Sequence, residues 1–289
     1  MELTVLNITK KYGKFKALKD FSFSFTPGIY GLLGPNGAGK STLMNIISGV
    51  LEASGGEVLW NEKNINALGK TYRNVLGYLP QVSGYYKNFT AREFLEYVAM
   101  LKGIKNKKQA KKEIEELLKQ VNLTEAADKK LEGFSGGMRQ RVGIAQALLG
   151  NPQVIIFDEP TAGLDPKERI RFRNLISELA FDKIIILATH IVSDVEMVAD
   201  NIVLIREGEL IQSGTIDECV SVLDGKVFEK DILQKNLKDF TSSHKVISIS
   251  RSSNEMAKVR FIQDNGDNSS QAAKPSLEDI YLFYFGADE

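Results

Sequence analysis

The sequence has one cysteine, Cys219, so no internal disulfide can form, and its two histidines are too few to complete a structural zinc cluster. That usage fits a reducing compartment. Net charge is also absent, since 37 lysines and arginines stand against 37 aspartates and glutamates. A protein that held nucleic acid or anionic lipid by overall charge would carry a basic excess. No stretch reaches the roughly 18 successive apolar residues of a membrane-spanning helix. The opening MELTVLNITKKYGKFKALKD puts charges where a signal peptide needs an apolar run. Any role at a membrane is therefore expected to come through a partner. No internal repeat is visible. The rest is ordinary globular composition, 43% hydrophobic and 26% charged, in a length of 289 residues that exceeds what one core usually serves. One large domain with an appendage, or two domains, is expected.

Hydrophobic periodicity divides the chain. Phe21-Ser-Phe23-Ser-Phe25 alternates at period two, as a half-buried antiparallel strand does, and Leu3 and Val5 look similar. After Pro27-Gly28 comes the apolar run Ile29-Tyr-Gly-Leu-Leu33, then a glycine-rich turn, then Leu43, Ile46, Ile47 and Val50 at helical spacing. From about residue 87 to 150 the period is helical, with stripes Phe94, Leu95, Val98, Leu101 and Ile114, Leu117, Leu118, Val121. Beyond that insert, the fully apolar runs Val154–Phe157, Ile184–Leu187 and Ile202–Ile205 alternate with helical segments, the pattern of buried parallel strands. Past Gly214 the pattern weakens. A helix is predicted near 227–239, strands around Val246–Ile249 and Val259–Ile262, and a polar loop from Asp264 to Ser276. The closing Ile280–Phe285 is too apolar for a free tail and is expected to pack on something.

Gly34-Pro35-Asn36-Gly37-Ala38-Gly39-Lys40-Ser41, followed by Thr42, satisfies G-x-x-x-x-G-K-[ST] between a predicted strand and a predicted helix. Glycines let the backbone wrap a polyphosphate so that N–H groups and the helix N-terminus point at it. Lys40 would reach the β and γ phosphates and Ser41 would offer a hydroxyl to Mg²⁺. Val154-Ile-Ile-Phe-Asp158-Glu159 ends an apolar strand with two carboxylates, which strand geometry sends in different directions. Asp158 suits Mg²⁺, and Glu159 could polarise a water attacking the γ-phosphate.

Three further segments carry weaker signals. Ser135-Gly136-Gly137 opens a helix with the stripe Met138, Val142, Ala145, Leu149 and reads either as a cap and hinge or as an anion site at a helix start. His190 follows the apolar run ending at Leu187, near the strand ends where ligand sites of open α/β sheets gather, and precedes Ser193-Asp-Val-Glu196, which has the form of a capping box. Asp165-Pro166-Lys167-Glu168 reads as a helix start, with Asp165 as cap and Pro166 at the first helical position.

Together these elements resemble the nucleotide-binding subunit of an ATP-binding cassette transporter over roughly residues 1–216. The motifs stand in that family's order: Tyr12, the phosphate loop ending in Lys40, Gln81 in Tyr78-Leu-Pro-Gln81, Phe134-Ser-Gly-Gly-Met138, Asp158-Glu159, Gly163-Leu-Asp165 and His190. Phe134 and Met138 depart from the commonest form of the signature, L-S-G-G-Q. The resemblance implies a P-loop NTPase core with a mostly parallel sheet, an N-terminal antiparallel β subdomain and a helical insert at about 87–150, followed by a small α+β extension over 217–289. It further implies that Tyr12 stacks on adenine, Gln81 touches Mg²⁺ and senses a permease, Glu159 is the base and His190 contacts the γ-phosphate. Ser135, Gly136 and Gly137 would bind the γ-phosphate of ATP held by a second cassette, in a homodimer.

The implied protein is an ATPase subunit that works with ATP and Mg²⁺ at the cytoplasmic face of the membrane, bound to a separate membrane-spanning permease. The phosphate loop, the Met138-bearing signature and the poorly matched tail look most like bacterial efflux systems. The rival reading is a soluble cassette ATPase acting on ribosomes or nucleic acid. Such relatives usually carry two cassettes, a long coiled coil or zinc modules, so no nucleic-acid partner is expected. A non-catalytic nucleotide sensor is disfavoured by the joint presence of Lys40, Glu159 and His190.

Overall fold

The computed structural model describes residues 1–82, 84–253, 255–264 and 270–286. They form two units, Met1–Ser213 and Gly214–Glu289.

In the first unit, strands Leu3–Tyr12, Phe15–Phe25, Gly55–Trp60 and Lys63–Asn64 make an antiparallel sheet in which the first strand lies between the second and third. Period two holds for Leu3 and Val5 and for Phe21 and Phe25, all buried, with Phe23 partly buried, and Ile8 is buried beyond a register shift that follows Val5. The hairpin closes tightly enough that Tyr12 sits directly opposite Phe15.

A six-stranded sheet carries the rest of the unit, in the order Glu209–Thr215, Asn201–Arg206, Gly28–Leu33, Ile184–Ala188, Val154–Asp158, Leu76–Leu79. Gly28–Leu33 runs parallel to both its neighbours, and Val154–Asp158 runs parallel to both of its own. Its central strands are buried on both faces, which is why their sequences are unbroken apolar runs instead of alternating ones. Parallel strands all end on one side of the sheet. The residues after Leu33, Asp158 and Ala188 are therefore neighbours in space although far apart in sequence.

Helices Ala91–Leu101, Lys107–Gln120 and Gly136–Leu148 build the insert. Thr90 and Glu93 form a reciprocal capping box at the first of them. Ile114, Leu117, Leu118 and Val121 are buried as the stripe requires. Leu101 is not: as the last residue of its helix it is 64% exposed, and Ala91 and Ala99 take the inner positions beside Phe94 and Leu95. Val50 likewise lies beyond helix Lys40–Ile47 and is 70% exposed, while Met44 fills the inner face.

In the second unit, strands Lys245–Arg251 and Met256–Ile262 appear where expected, but the helix near 227–239 does not. Val227–Leu233 is a strand, and a helix runs only over Leu237–Ser243. Every residue from Val227 to Leu233 has a partner in Met256–Ile262, and that ladder outweighs the helical preference of Glu229 and Lys230. The polar loop expected over 264–276 is interrupted by the short strand Gln271–Ala272, which pairs with Phe228 and Glu229. Residues 265–269 of that loop lie outside the described residues. The apolar C-terminal run is helix Leu277–Phe285, which buries Leu277, Ile280 and Phe285.

That helix is held to the sheet by charge. Arg260 on strand Met256–Ile262 donates from Nε and Nη2 to the fully buried Asp279 at 2.8 and 2.6 Å, and from Nη1 to Glu229 at 3.0 Å. Burial alone would raise the Asp279 carboxyl, but the hydrogen bonds from Arg260 and Ser276 hold it below its ordinary value. A carboxyl held low adds stability above its unfolded pKa and loses it as pH falls through the folded one. Asp279→Ala takes two hydrogen bonds from Arg260 and leaves it Glu229, so it is expected to destabilise this unit by about 2–4 kcal/mol at neutral pH. Hydrogen exchange of the Val227–Leu233 and Met256–Ile262 amides measures it, and protection unchanged from the parent would refute the role given to the pair.

Candidate active site

Strand Gly28–Leu33 delivers the chain to Gly34, and helix Lys40–Ile47 leads it away. Between them the loop folds over its own lysine. Lys40 Nζ donates to the carbonyls of Gly34 and Pro35 at 2.6 and 2.9 Å. Burial lowers the Lys40 pKa, and the nearby Glu159 and Asp158 carboxylates oppose that shift. Gly39 is required by geometry on two counts. Its φ of 106° is left-handed, and a Cβ there would lie 2.7 Å from the carbonyl oxygen of Ala17.

The loop forms one wall of a cavity of about 430 Å³, within the range of small-molecule sites. Tyr12, Asn36, Gly37, Ala38, Gly39, Lys40, Ser41, Thr42, Gln81, Asp158 and Glu159 all line it. Gly34 and Pro35 instead serve it from behind, through the carbonyls that receive Lys40. Phe15 and Ala17 also line the cavity, and neither stands out in the sequence. The signal for Phe15 was the short hairpin, which sets it across from Tyr12, the two aromatics remaining 64% and 51% exposed.

The two acids take different partners, Asp158 from the last position of the strand and Glu159 from just beyond it. Asp158 turns to the Ser41 hydroxyl. Burial and the neighbouring Glu159 charge push its carboxyl up, against the downward pull of Ser41 and Lys40. Glu159 has a left-handed φ of 54°, an uncommon conformation for a residue with a side chain. Its backbone N–H donates to Ala188 O at 2.8 Å, fastening it to the next strand. Its carboxylate accepts from Thr189 Oγ1 at 3.1 Å and from the His190 N–H at 3.2 Å, and Oε1 lies 2.8 Å from His190 Nδ1. Facing a carboxylate, Nδ1 is the nitrogen that carries the proton. His190 thus meets the site through Glu159. Thr189, which sequence reasoning passed over, holds Glu159 from the other side and accepts from the Ile191 N–H at 3.0 Å.

The capping box at Ser193–Glu196 is absent. Helix Val192–Glu196 starts with Ile191 as its cap residue and no side-chain cap bond, so Ser193 already lies inside it. The Thr189 hydroxyl has closed that turn one step earlier. Asp165 does cap helix Pro166–Leu179, accepting from the Glu168 N–H at 2.9 Å.

Ser135, Gly136 and Gly137 are not brought to this cavity. Ser135 caps helix Gly136–Leu148, its Oγ accepting from the Met138 N–H at 3.2 Å, and Ser135 and Gly136 face solvent. The two glycines have different reasons to be glycine. A Cβ on Gly136 would meet nothing within 4 Å, whereas one on Gly137 would lie 2.7 Å from Gly163 O. Only Gly136 leaves an approach open, and Gly137 lets two turns of the same chain touch. Phe134 is buried and Met138 packs against the same core, so both departures from the common signature point inward.

Among the described residues no three His, Cys, Asp or Glu side chains cluster as a metal cage. Mg²⁺ does not need one, since it takes hard oxygen donors and usually completes its shell with waters and substrate phosphates. The Ser41 hydroxyl, the Gln81 amide oxygen and the Asp158 carboxylate, from residues that line the same cavity, are donors of the kind that fit that ion.

The family described as ABC transporter is matched over residues 18–162. The linearmycin resistance ATP-binding protein LnrL of Bacillus subtilis is 38% identical over 76% of this chain and 71% of its own length. The bacitracin transport ATP-binding protein BcrA of Bacillus licheniformis is 38% identical over 73% and 69%. Among solved structures, the dimeric post-hydrolysis cassette MJ0796 bound to ADP and Pi superposes with a TM-score of 0.68 at 29% identity, covering 74% of this chain and 98% of that one.

Proposed function

The chain belongs to the ABC transporter family as an ATP-binding, ATP-hydrolysing cassette, and from that premise we propose that it drives export through a separate membrane permease by closing in pairs around Mg-ATP. One observation carries the site assignment: Lys40, Ser41, Gln81, Asp158 and Glu159 share one cavity, with Glu159 held by Thr189 and His190.

In this reading the loop amides and the N-terminus of helix Lys40–Ile47 receive the phosphates, and Lys40 exchanges its loop carbonyls for the β and γ phosphate oxygens. Ser41, Gln81 and Asp158 hold Mg²⁺, which when bound supplies charge neutralisation for the triphosphate. Tyr12 meets the nucleobase at the open end of the cavity, backed by Phe15. Glu159 takes a proton from the attacking water. His190 keeps that carboxylate aimed through Nδ1 and leaves its other ring nitrogen for the γ-phosphate. Ser135 and Gly136, exposed at a helix start away from their own cavity, serve the ATP of the second cassette. Residues 1–216 are the nucleotide-binding domain on this account, with the helical subdomain at about 87–150 and an extension over 217–289.

No helix among the described residues is long and apolar enough to cross a membrane. In this reading the permease is another chain, which would hold this one at the cytoplasmic face. The names of LnrL and BcrA, a resistance and a transport protein, support export. The test is affinity purification of the full chain from detergent-solubilised membranes of its own host, followed by ATPase assay. The expected result is a multi-span membrane protein in stoichiometric yield and ATP turnover in the complex. Ribosomes or nucleic acid in its place would overturn the export reading.

A further inference from the structure

One side chain reaches from the exposed helix start into the backbone of the hydrolytic turn. Gln140 is half-buried on the first turns of helix Gly136–Leu148, and its Nε2 donates to the carbonyls of both Glu159 and Pro160, at 3.0 and 3.1 Å. These two carbonyls flank the position where the chain leaves strand Val154–Asp158 through the left-handed Glu159. A backbone conformation of that kind persists only where its surroundings over-determine it. The Glu159 N–H is fixed to Ala188 O, its side chain to Thr189 and His190, and its carbonyl to Gln140 and the Ala162 N–H.

The same first turns are fastened at two further points. Gly137 packs so closely on Gly163 that a Cβ on Gly137 would lie 2.7 Å from Gly163 O. Tyr85, a few residues beyond Gln81, donates its hydroxyl to Arg139 O at 2.9 Å. The helix start is therefore fastened both to the turn after Glu159 and to Tyr85.

We infer that Gln140 is a positioning residue that couples the two ATP sites of the cassette pair. The inference rests on the pairing proposed above. In that pair Ser135 and Gly136 close on the ATP of the other copy, while Glu159 acts on the ATP of its own. A helix start drawn onto the partner's γ-phosphate pulls, through the Gln140 amide, on the carbonyls that set the Glu159 backbone. Closure at one site is thereby transmitted to the base of the other. The amide suits this task because one NH₂ group offers two donors to two successive carbonyls.

The experiment compares Gln140→Leu and Gln140→Glu with the parent full chain. It measures fluorescent-nucleotide affinity, kcat, KM and the Hill coefficient for ATP, after circular dichroism and thermal unfolding confirm the fold. Gln140→Leu is expected to keep nucleotide affinity within about twofold and to lose about tenfold in kcat, as misplacement of a reacting group does. Its Hill coefficient should fall from the parent's value, which two sites limit to about two, towards about one. Gln140→Glu keeps the shape but donates only when protonated, so its deficit relative to the parent should shrink as pH is lowered. A variant with the parent's kcat and Hill coefficient overturns the inference, and so does one that loses kcat with cooperativity unchanged. Glu159→Gln separates the two failures. If it forms ATP-bound dimers while the Gln140 variants behave as the parent, the inference alone falls. If it stays monomeric with ATP, the pairing and the inference fall together.

Discussion

Glu159→Gln retains Mg-ATP, accumulates as an ATP-bound dimer and loses turnover by about 10²–10⁴-fold, the typical contribution of a general base. The substitution keeps the side chain's size and one of its two oxygens, which placed at Oε1 still accepts from the His190 N–H, while the amide NH₂ takes the place of the Oε2 that accepted from Thr189 Oγ1. What disappears is the capacity to take a proton from water. One negative charge is also removed from a cavity that must admit a triphosphate and already holds Asp158, so binding should hold or tighten. Size-exclusion chromatography with Mg-ATP reads the dimer and phosphate release reads the turnover. A monomer that still hydrolyses ATP at the parent rate would sink both the base assignment and the cassette pair.

Lys40→Ala weakens Mg-ATP binding by about 10–10²-fold, as expected for the loss of charge-assisted bonds to phosphate. The lysine is preorganised for this exchange. It is nearly buried, its Nζ bound to Gly34 O and Pro35 O, and burial makes its charge easier to remove unless an anion arrives to keep it. The γ and β phosphate oxygens are such anions. Truncation also leaves the two loop carbonyls without their donor, so a modest loss in melting temperature accompanies the loss of affinity. Isothermal titration calorimetry with ATP and with ADP checks the assignment. Parent-like affinity for both would remove Lys40 from the phosphate site.

These two expectations draw on different depths of information. The lysine, its glycines and the strand–turn–helix around them form one contiguous stretch, and their roles follow from local backbone geometry. The base assignment needed more. Asp158-Glu159 was visible as a pair of acids at a strand end, but the reason that Glu159 is the held one lies in Thr189 and His190, thirty-one positions on at the latter. The capping box expected at Ser193 failed for the same reason. Thr189, oriented by the site, closed the turn first. The helix expected over 227–239 failed because a seven-residue stretch of mixed preference takes its conformation from the strand beside it.

What the amino-acid order determined by itself is everything that a few neighbouring residues can enforce: the buried strands, the phosphate turn with Gly39 at left-handed φ, and the caps Ser135 and Asp165. Spacing and side-chain type are sufficient there, because each run, turn or cap is marked by residues close together in the chain, even where the contact itself is distant, as for Gly39 against Ala17 O. The tertiary structure decided which segments meet. It brought the hairpin that carries Tyr12 and Phe15 to the phosphate loop at one cavity, gave Gly137 a packing reason that Gly136 lacks, and laid Gln140 across two carbonyls of the turn after Glu159. Those contacts depend on sheet order and helix docking, which sum over many distant and individually weak interactions, so no short stretch of sequence contains them.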